Sequence, residues 1–557
     1  MKRDCTAPTT STALCGRTLT ACAILAAIGA LLAGGSVAAA DVPSARPNVV
    51  VILVDDMGFS DLGCYGGEIP TPHLDALAAN GLAFTRFYNA GRCCPTRASL
   101  LTGLYPHQAG VGHMTDDDGL PGYRGRLGDG CVTIAEALRD AGYFTCMAGK
   151  WHVGQNHGVA PWNRGFLRSL NPATGGFYQA GSPRYDLSLD GEAIAADDPR
   201  LPANWYSTDL WTEFGLKFID EARAADKPFF LYLAHNAPHF PLQAPADEIE
   251  RLRAAYADGW DALAARRFER QVAAGLFTGR ETPGGRPAGV TAWHSLPEAE
   301  RERFAHLMAV YAATVHLMDR SIGRLVDGLR ERRVLDDTLI LFLSDNGGNA
   351  ESGPAGRTAG DPTKPDSSWF CGESWAWLEN VPLRRFKHFT HEGGIATPMI
   401  AHWPRGIAAD RRGTIERAPG HVIDVMPTLV EACGALYPAE HGGHRILPCE
   451  GTSLMPAFAG RPIHRWKPIF WEHEGNKAIR SGRWKAVLKH GGPWEVYDME
   501  ADRTEAHDRA AERPAVRDLL TTQWAEWAAA SFVDPWPGPP RNDWGEEPND
   551  RIKPRPE

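Results

Sequence analysis

Length, composition and charge exclude several classes of protein before any motif is considered. The chain has 557 residues, of which 43% are hydrophobic and 23% are charged, as in a globular protein with room for more than one core. Its formal net charge is −10 at pH 7, whereas a protein held to nucleic acid by phosphate contacts needs a surplus of lysine and arginine. We therefore expect no nucleic-acid partner, and we expect functional cations to be confined to a pocket.

The first 40 residues have the pattern of an export signal. Basic residues precede an apolar run from Leu19 to Leu32, and Ala38-Ala39-Ala40 is typical of a cleavage site. A membrane anchor is the alternative, but glycines interrupt the run and a bilayer span needs roughly 20 apolar residues. Cys22 leaves lipidation open as a further alternative. We predict a signal peptide over 1–40, a periplasmic or secreted protein, and no stable membrane span.

Cysteine usage is compatible with an oxidising compartment. Three of the 11 cysteines lie in the predicted leader, which leaves eight in the mature chain. Cys131–Cys146 and Cys433–Cys449 are candidate disulfides, although pairing cannot be deduced from sequence alone.

Strands and helices alternate directly after the leader. Residues 47–54 are a continuous β-branched run typical of a central strand, and Thr71-Pro72 opens an amphipathic helix that ends at Gly81. The pattern continues with a helix over 132–140, a strand over 143–147, a helix over 209–224, a strand over 228–234, a helix over 300–333 and a strand over 338–344. This alternation predicts an α/β fold with a large, mostly parallel sheet flanked by helices and a site at the carboxyl ends of its strands.

Three stretches, 157–208, 257–298 and 350–385, lack clear periodicity and are rich in glycine, proline and tryptophan. We interpret them as insertions over the sheet that determine substrate specificity. Their tryptophans could stack on an aromatic ring or a sugar face, or could serve packing alone. These residues are Trp162, Trp205, Trp211, Trp369, Trp375 and Trp377.

The pattern changes near residue 465. Short strand-like runs at 468–471, 477–481, 484–488 and 494–497 precede a helical stretch over 513–530. We predict a catalytic domain over 41–464 and a smaller C-terminal α+β domain, built on an antiparallel sheet, over 465–532. The tail 533–557 is rich in proline and charge and is predicted to be disordered.

Oxygen ligands follow two of the predicted strands. Asp55 and Asp56 come directly after the first strand, and Asp345 and Asn346 follow the strand over 338–344. Adjacent carboxylates repel each other unless a cation lies between them, so metal ligation is favoured over the alternative, a solvated acidic turn. Because an oxygen-only set without paired His or Cys favours Ca²⁺ or Mg²⁺ over zinc, the four residues predict a site for a hard divalent ion.

The pentapeptide Cys93-Cys94-Pro95-Thr96-Arg97 predicts a helix start. Pro95 suits the first turn of a helix, which places Cys93 at its mouth. Backbone N–H groups and the helix dipole favour an anion there, and Arg97 adds a permanent cation. An ordinary helix start with a buried cysteine is the alternative.

The longer string from Gly91 to Gly103 resembles the sulfatase signature C-x-[PA]-[ST]-R. In that family the first cysteine, here Cys93, is oxidised to formylglycine by a maturation enzyme. The resemblance implies a hydrated aldehyde that attacks sulfur with one oxygen and expels sulfate with the other. It also implies one Ca²⁺, with Mg²⁺ less favoured, held by the modified Cys93 and by Asp55, Asp56, Asp345 and Asn346.

Three further segments resemble sulfatase motifs. Gly149-Lys150-Trp151-His152 resembles G-K-[WY]-H, which implies that Lys150 binds sulfate and that His152 removes the proton that ejects it. Without the other motifs, a chance pair of surface residues would be the alternative. A histidine two residues before Pro-Leu-Gln selects His239 over His235. Lys387 stands five residues before Glu-Gly-Gly, although Phe386, His388 and Ala396 depart from the family pattern and a salt-bridged surface lysine is the alternative reading.

The resemblance extends from Pro47 to about Gly460 and is greatest to bacterial arylsulfatases. It implies hydrolysis of aryl sulfates or sulfated carbohydrates, with sulfate bound by Lys150, His239 and Lys387. Arg97 and Lys150 would hold charge, while His239 and Lys387 protonate the leaving group. A phosphodiesterase or phosphonate monoester hydrolase of the same superfamily is one alternative. An exported protein that binds sulfated glycans without modifying Cys93 is another.

Overall fold

The computed structural model describes residues 46–538, which belong to one compact unit. The predicted signal peptide and residues 539–557 of the predicted tail lie outside this range. Within it, every helix is too short or too polar to form a membrane span.

The strands of the described region form four sheets. Their bounds are β1 (Asn48–Val54), β2 (Leu82–Tyr88), β3 (Phe144–Gly149), β4 (Arg168–Pro172), β5 (Leu187–Leu189), β6 (Glu192–Ala193), β7 (Phe229–Ala234), β8 (Thr338–Ser344), β9 (Arg357–Ala359), β10 (Ser368–Phe370), β11 (Ala396–His402), β12 (Thr414–Glu416), β13 (Gly420–His421), β14 (Glu440–His441), β15 (His444–Arg445), β16 (Ile469–His473), β17 (Asn476–Ser481), β18 (Trp484–Leu488) and β19 (Trp494–Asp498).

The α-helices of the same region are Pro72–Ala79, Cys93–Thr102, Ile134–Asp140, Ser207–Ala224, Ala246–Arg253, Gly259–Ala273, Glu298–Glu331, Glu373–Asn380, Glu392–Ile395, Val425–Cys433, Met455–Phe458 and Pro514–Ala530. Each helix and strand predicted from the sequence is present, with ends shifted by no more than about two residues.

The large sheet has the strand order β12-β2-β11-β8-β1-β7-β3-β4-β5-β6, and β13 also pairs with β2. The central strands β8, β1, β7, β3 and β4 are parallel. β11 is antiparallel to both β8 and β2, so β2 runs in the same direction as β8. This confirms the predicted α/β fold with a large, mostly parallel sheet.

Helices cover both faces of this sheet, as its apolar strands require. Val50, Ile52 and Val54 of β1 pack into a core shared with the helices Ser207–Ala224 and Glu298–Glu331. The alternate residues of β1 pack into a second core, shared with the helices Cys93–Thr102 and Val425–Cys433. The sheet is therefore the middle layer of three, and its strand ends are left to form the site.

The interpretation of three stretches as insertions over the sheet is only partly correct, because they contain regular strands or helices. Residues 157–208 contain β4, β5 and β6, which extend the large sheet rather than cover it. Their strand pattern is obscured because β5 and β6 have only three and two residues. The stretch 257–298 contains the helix Gly259–Ala273, whose buried Arg267 pairs with Asp61 at 2.8 Å.

The tryptophans of these stretches serve packing, which is the second of the two roles considered. Trp162 is 37% exposed and packs against Gly191. The others are at most 7% exposed and belong to the core; they are Trp205, Trp211, Trp369, Trp375 and Trp377.

The C-terminal region contains the predicted antiparallel sheet, in the order β16-β17-β18-β19, and the helix Pro514–Ala530 packs on it. The indole of Trp471 in β16 donates a hydrogen bond to the Asn89 carbonyl at 2.8 Å, which ties this sheet to the end of β2. At the start of the predicted tail, the Asp534 carbonyl accepts a hydrogen bond from Tyr123 at 3.2 Å.

All eight cysteines of the described residues are free thiols. Neither candidate disulfide is formed. Cys131 and Cys146 belong to different hydrophobic cores, and Cys449 Sγ donates to the Gly103 carbonyl at 3.6 Å.

Candidate active site

The predicted site residues lie at one edge of the large sheet. Asp55, Lys150 and Asp345 directly follow the parallel strands β1, β3 and β8. Cys93 follows β2, which runs in the same direction, and Lys387 precedes the antiparallel β11. The topology thus brings together segments that are almost 300 residues apart in the chain.

A helix start fixes the position of Cys93. The helix Cys93–Thr102 follows an extended Arg92 and ends at Gly103, where φ is +71°. The Thr96 hydroxyl accepts a hydrogen bond from the Ala90 N–H at 2.9 Å and donates one to the Asp345 carbonyl at 2.6 Å. Cys93 therefore lies at the helix mouth, as predicted, and is fastened to the segment that carries Asp345.

Cys93 is 2% exposed, and its Sγ lies 3.6 Å from Nδ1 of His152. The pKa of its thiol is well below the usual range, because the Cys94 side chain, Lys150 and His152 favour the thiolate more than burial disfavours it. Burial, assisted by Lys150, lowers the pKa of His152 to about 4. At neutral pH the ring of His152 is therefore uncharged and able to accept a proton.

Arg97 and Lys150 form ion pairs with two carboxylates of the site. Arg97 is fully buried and its guanidinium lies 2.7 Å from Oδ2 of Asp345 and 3.3 Å from Oδ2 of Asp55. Nζ of Lys150 lies 2.5 Å from the same oxygen of Asp55. Burial alone would raise the pKa of Asp55, but Lys150, His239 and Arg97 hold it at about 2.

Asp56 is the centre of the second half of the site. Nζ of Lys387 lies 2.9 Å from its Oδ1, and Nε2 of His239 lies 3.5 Å from its Oδ2. Its carboxylate also accepts hydrogen bonds from the amides of Asn346 at 2.7 Å and Asn349 at 2.6 Å. Lys387 is buried and paired with acidic groups, chiefly Asp56, that raise its pKa against the effect of burial, so it is not a surface lysine.

The oxygen atoms of this cluster fit a hard cation. Oδ1 of Asp55 and Oδ1 of Asn346 are buried and have no hydrogen-bond partner in the described part of the chain. Such orphaned acceptors are rare in proteins. Burial and the neighbouring Asp55 raise the pKa of Asp345 well above its usual range, because crowded carboxylates repel each other, an effect that a divalent ion between them would offset. The donor set is therefore compatible with one divalent ion.

A pocket of about 530 Å³ opens onto the cluster. Cys93, Lys150, His152, His239 and Lys387 all line it. The remaining wall includes Arg92, Thr174, Arg184, Asp186, Phe240 and Glu351. None of the six tryptophans considered as stacking residues lines this pocket.

Sequence reasoning missed Glu351, Asn349 and Glu474. Glu351 lies 3.5 Å from Nζ of Lys387 and accepts a hydrogen bond from Nε2 of His388 at 2.7 Å. Asn349 and Glu351 follow Asp345-Asn346 in the same loop after β8. Their position in this loop could have identified them as site residues. Glu474 offered no such signal, because it belongs to the C-terminal sheet region. His235 is buried and does not line the pocket.

Comparison with known proteins identifies the family of this chain. Residues 47–435 match the Sulfatase family. The chain is 35% identical to an arylsulfatase of Klebsiella aerogenes, over 78% of this chain and 96% of that protein. It is 34% identical to an uncharacterized sulfatase of Schizosaccharomyces pombe, over 88% of this chain and 95% of the relative.

Among solved structures, the fold is similar to that of Ps i-CgsB in complex with k-i-k-neocarrahexaose. The TM-score is 0.65 and the identity 26%, over 88% of this chain and 95% of the other. The match to the family covers well over half of the chain and includes every predicted site residue, from Asp55 to Lys387. The chain therefore belongs to the sulfatase family and is a sulfuric ester hydrolase.

Proposed function

We propose that this protein hydrolyses sulfate monoesters with a formylglycine, formed from Cys93, as its nucleophile. The observation that best supports this proposal is the position of residue 93. It is buried at a helix mouth, and its Sγ lies 3.6 Å from Nδ1 of His152. It also lines the same pocket as Lys150 and Lys387. The sulfatase family implies both a formylglycine and a metal ion. When formed, the hydrated aldehyde supplies one oxygen to attack sulfur and a second whose deprotonation releases sulfate.

Arg97 and Lys150 hold positive charge where the sulfuryl group would bind. Both are buried and anchored by Asp55 and Asp345, so they need no reorganisation as charge develops. Removing one such group would cost roughly 3 kcal/mol of transition-state stabilisation. His152, neutral near pH 7, is placed to take the proton whose removal ejects sulfate.

We assign the divalent ion as calcium, with Asp55, Asp56, Asp345, Asn346 and residue 93 as its ligands. Two orphaned buried oxygens among oxygen-only donors support a hard cation, and Mg²⁺ is the less favoured choice because it demands stricter octahedral geometry. When bound, this ion supplies positive charge that neutralises sulfate and lowers the pKa of the nucleophile.

His239 and Lys387 are the proposed donors to the leaving group. Both contact Asp56 and both line the pocket. The backbone carbonyl of His239 accepts a hydrogen bond from the buried Tyr178 at 2.8 Å, and its Nδ1 lies 2.6 Å from the Phe240 carbonyl. The second contact requires a proton on Nδ1, so in the neutral ring Nε2 is an acceptor and can donate only after protonation.

The substrate is proposed to be an aryl sulfate or a sulfated carbohydrate. The arylsulfatase relative supports the first class. The oligosaccharide bound to Ps i-CgsB supports the second. We also propose export to the periplasm or secretion, on the basis of residues 1–40, and maturation of Cys93 by a formylglycine-generating enzyme.

Two measurements test the proposed function. The first compares hydrolysis of 4-nitrophenyl sulfate with that of bis(4-nitrophenyl) phosphate. We expect faster turnover of the sulfate, whereas faster turnover of the diester would favour the phosphodiesterase alternative. The second is the mass of the peptide that contains residue 93, which is roughly 18 Da lighter as formylglycine than as cysteine. An unmodified peptide from fully active enzyme would contradict the proposed nucleophile.

A further inference from the structure

Among the described residues, one cation on the pocket wall is neither used by the proposed mechanism nor paired with an acidic group. Lys150, Lys387 and Arg92 also line the pocket, but each lies within 3 Å of a carboxylate oxygen. Arg184 lines the same pocket, is exposed, and has no ion pair or side-chain hydrogen bond within the range 46–538. Its guanidinium is therefore available to an incoming anion without displacing a partner.

The loop 173–186 holds Arg184 in a defined place. Oδ2 of Asp186 accepts hydrogen bonds from the N–H groups of Ala173 at 3.0 Å and Thr174 at 3.3 Å, which ties the two ends of the loop together. Phe177 and Tyr178, in its middle, are fully buried. The loop is thus an anchored part of the pocket wall rather than a free surface segment.

The same loop touches three residues of the proposed machinery. The Ala173 carbonyl accepts a hydrogen bond from the His152 N–H at 2.9 Å, and the Tyr178 hydroxyl donates one to the His239 carbonyl at 2.8 Å. A Cβ at Gly175 would lie 3.1 Å from the stem of Lys150. These contacts fix the backbone of the loop that carries Arg184 relative to the proposed sulfate-binding residues.

We propose that Arg184 binds a second anionic group of the substrate, either a carboxylate or another sulfate. This inference rests on the proposed function and narrows its substrate class to sulfate esters that carry at least one further acidic group. A guanidinium is suited to both groups, because its planar N–H donors form paired hydrogen bonds with carboxylate and sulfate oxygens. The pocket volume of about 530 Å³ lies in the range of sites that enclose a whole small ligand rather than one functional group.

The test uses matured full-length enzyme and 4-nitrophenyl sulfate as the reporter substrate. Competitive inhibition constants are measured for a sugar with one anionic group, N-acetylglucosamine 6-sulfate, and for two with a second one, glucosamine 2-N,6-O-disulfate and glucuronate 2-sulfate. At least one of the latter two should inhibit about tenfold more strongly, an advantage that should shrink as ionic strength rises. Stronger inhibition by the disulfate would indicate that Arg184 binds a second sulfate, and stronger inhibition by glucuronate 2-sulfate would indicate a carboxylate.

Arg184→Ala should remove that advantage and leave inhibition by N-acetylglucosamine 6-sulfate unchanged. Arg184→Lys should keep part of it, since the charge remains but the paired donors are lost. Arg445→Ala is the matched control, because Arg445 is also exposed, has no ion pair within the described residues, and does not line the pocket. It should change none of the constants.

The proposal would be overturned if neither doubly anionic sugar inhibits better than the singly anionic one. It would also be overturned if Arg184→Ala leaves the advantage intact or weakens all three inhibitors equally. If Arg184 were only a solvated surface residue, the Arg184→Ala variant would keep the full advantage of the doubly anionic sugars. Turnover of 4-nitrophenyl sulfate itself reports separately on the proposed function, so the two failures remain distinguishable.

Discussion

The carboxylate of Glu474 accepts a hydrogen bond from Arg92 at 2.8 Å, although 382 residues separate them. Arg92 directly precedes Cys93, and the same carboxylate lies 3.1 Å from Nδ1 of His388, which directly follows Lys387. Glu474 has a φ of +52° in the turn between β16 and β17 and is 1% exposed. The C-terminal sheet therefore supports both segments that carry reactive groups.

Glu474→Ala should lower both stability and turnover. Removing one partner of a buried ion pair leaves an uncompensated charge and costs about 3–5 kcal/mol. Urea unfolding and turnover of 4-nitrophenyl sulfate would measure the two effects. Glu500→Ala is the control, because its ion pair with Arg86 is on the surface, where Glu500 is 54% exposed, and such pairs contribute about 0–1 kcal/mol. Equal effects of the two variants would contradict the structural role of Glu474.

Cys93→Ala should abolish turnover and leave the fold intact, because the side chain contributes the nucleophile and little of the core. Cys94→Ala is the matched control: Cys94 is equally buried but occupies the variable position of the signature. Activity and near-UV circular dichroism would be measured for both. An active Cys93→Ala variant would refute the assignment of residue 93.

Calcium should stabilise the protein independently of catalysis. A ligand at 100 times its Kd that binds only the folded state adds about 2.7 kcal/mol to the free energy of unfolding. We expect EDTA to lower the melting temperature of the inactive Cys93→Ala protein, and Ca²⁺ to restore it more fully than Mg²⁺. Asn346→Ala should remove the response, whereas the exposed Asn80→Ala should retain it. A melting temperature indifferent to Ca²⁺ would argue against the metal site.

His239→Asn should slow hydrolysis most for poor leaving groups. General acid catalysis contributes about 10²–10⁴-fold, and a weakly acidic alcohol depends on it more than 4-nitrophenol does. Comparison of kcat/KM for an alkyl sulfate and for 4-nitrophenyl sulfate would reveal the difference. Loss by the same factor for both substrates would indicate a binding role instead. His464→Asn, a change at an exposed histidine, should affect neither.

Stability should fall as the pH drops from about 6.5 to 4. Burial lowers the pKa of His235 to about 3, and in this interval the unfolded chain binds a proton at that histidine which the folded chain does not. The free energy of unfolding therefore rises with pH, by up to about 1.4 kcal/mol per unit for each such histidine. Replacing His235 with Phe should reduce the slope in urea titrations, whereas His464→Gln should not. An unchanged slope would mean that His235 titrates alike in both states.

Much of the site was predictable because Asp55, Lys150 and Asp345 each follow a recognisable strand. Asp55 and Asp345 follow apolar runs typical of central strands, and parallel strands bring their carboxyl ends to one edge. Local sequence and one topological rule were therefore sufficient to place them together.

The parts that were not predicted depend on contacts distant in sequence. Strands β2 and β11 pair antiparallel at one side of the sheet, and neither has the unbroken β-branched run of β1. Glu474 is a polar residue in a tight turn, and its partners can be identified only from the folded chain. Likewise, the insertion tryptophans could not be assigned to packing until their neighbours were known.

Every residue of the helix Cys93–Thr102 is buried, and this has a consequence for biosynthesis. The maturation enzyme proposed above would have to bind residues next to Cys93, and in the folded protein the helix that begins at Cys93 is buried. Under the proposed function, oxidation of the Cys93 thiol would therefore take place on the nascent or still unfolded polypeptide. Protein produced in a host without the proposed modifying enzyme would fold with Cys93 unmodified and buried. Adding that enzyme after folding would then leave the protein inactive.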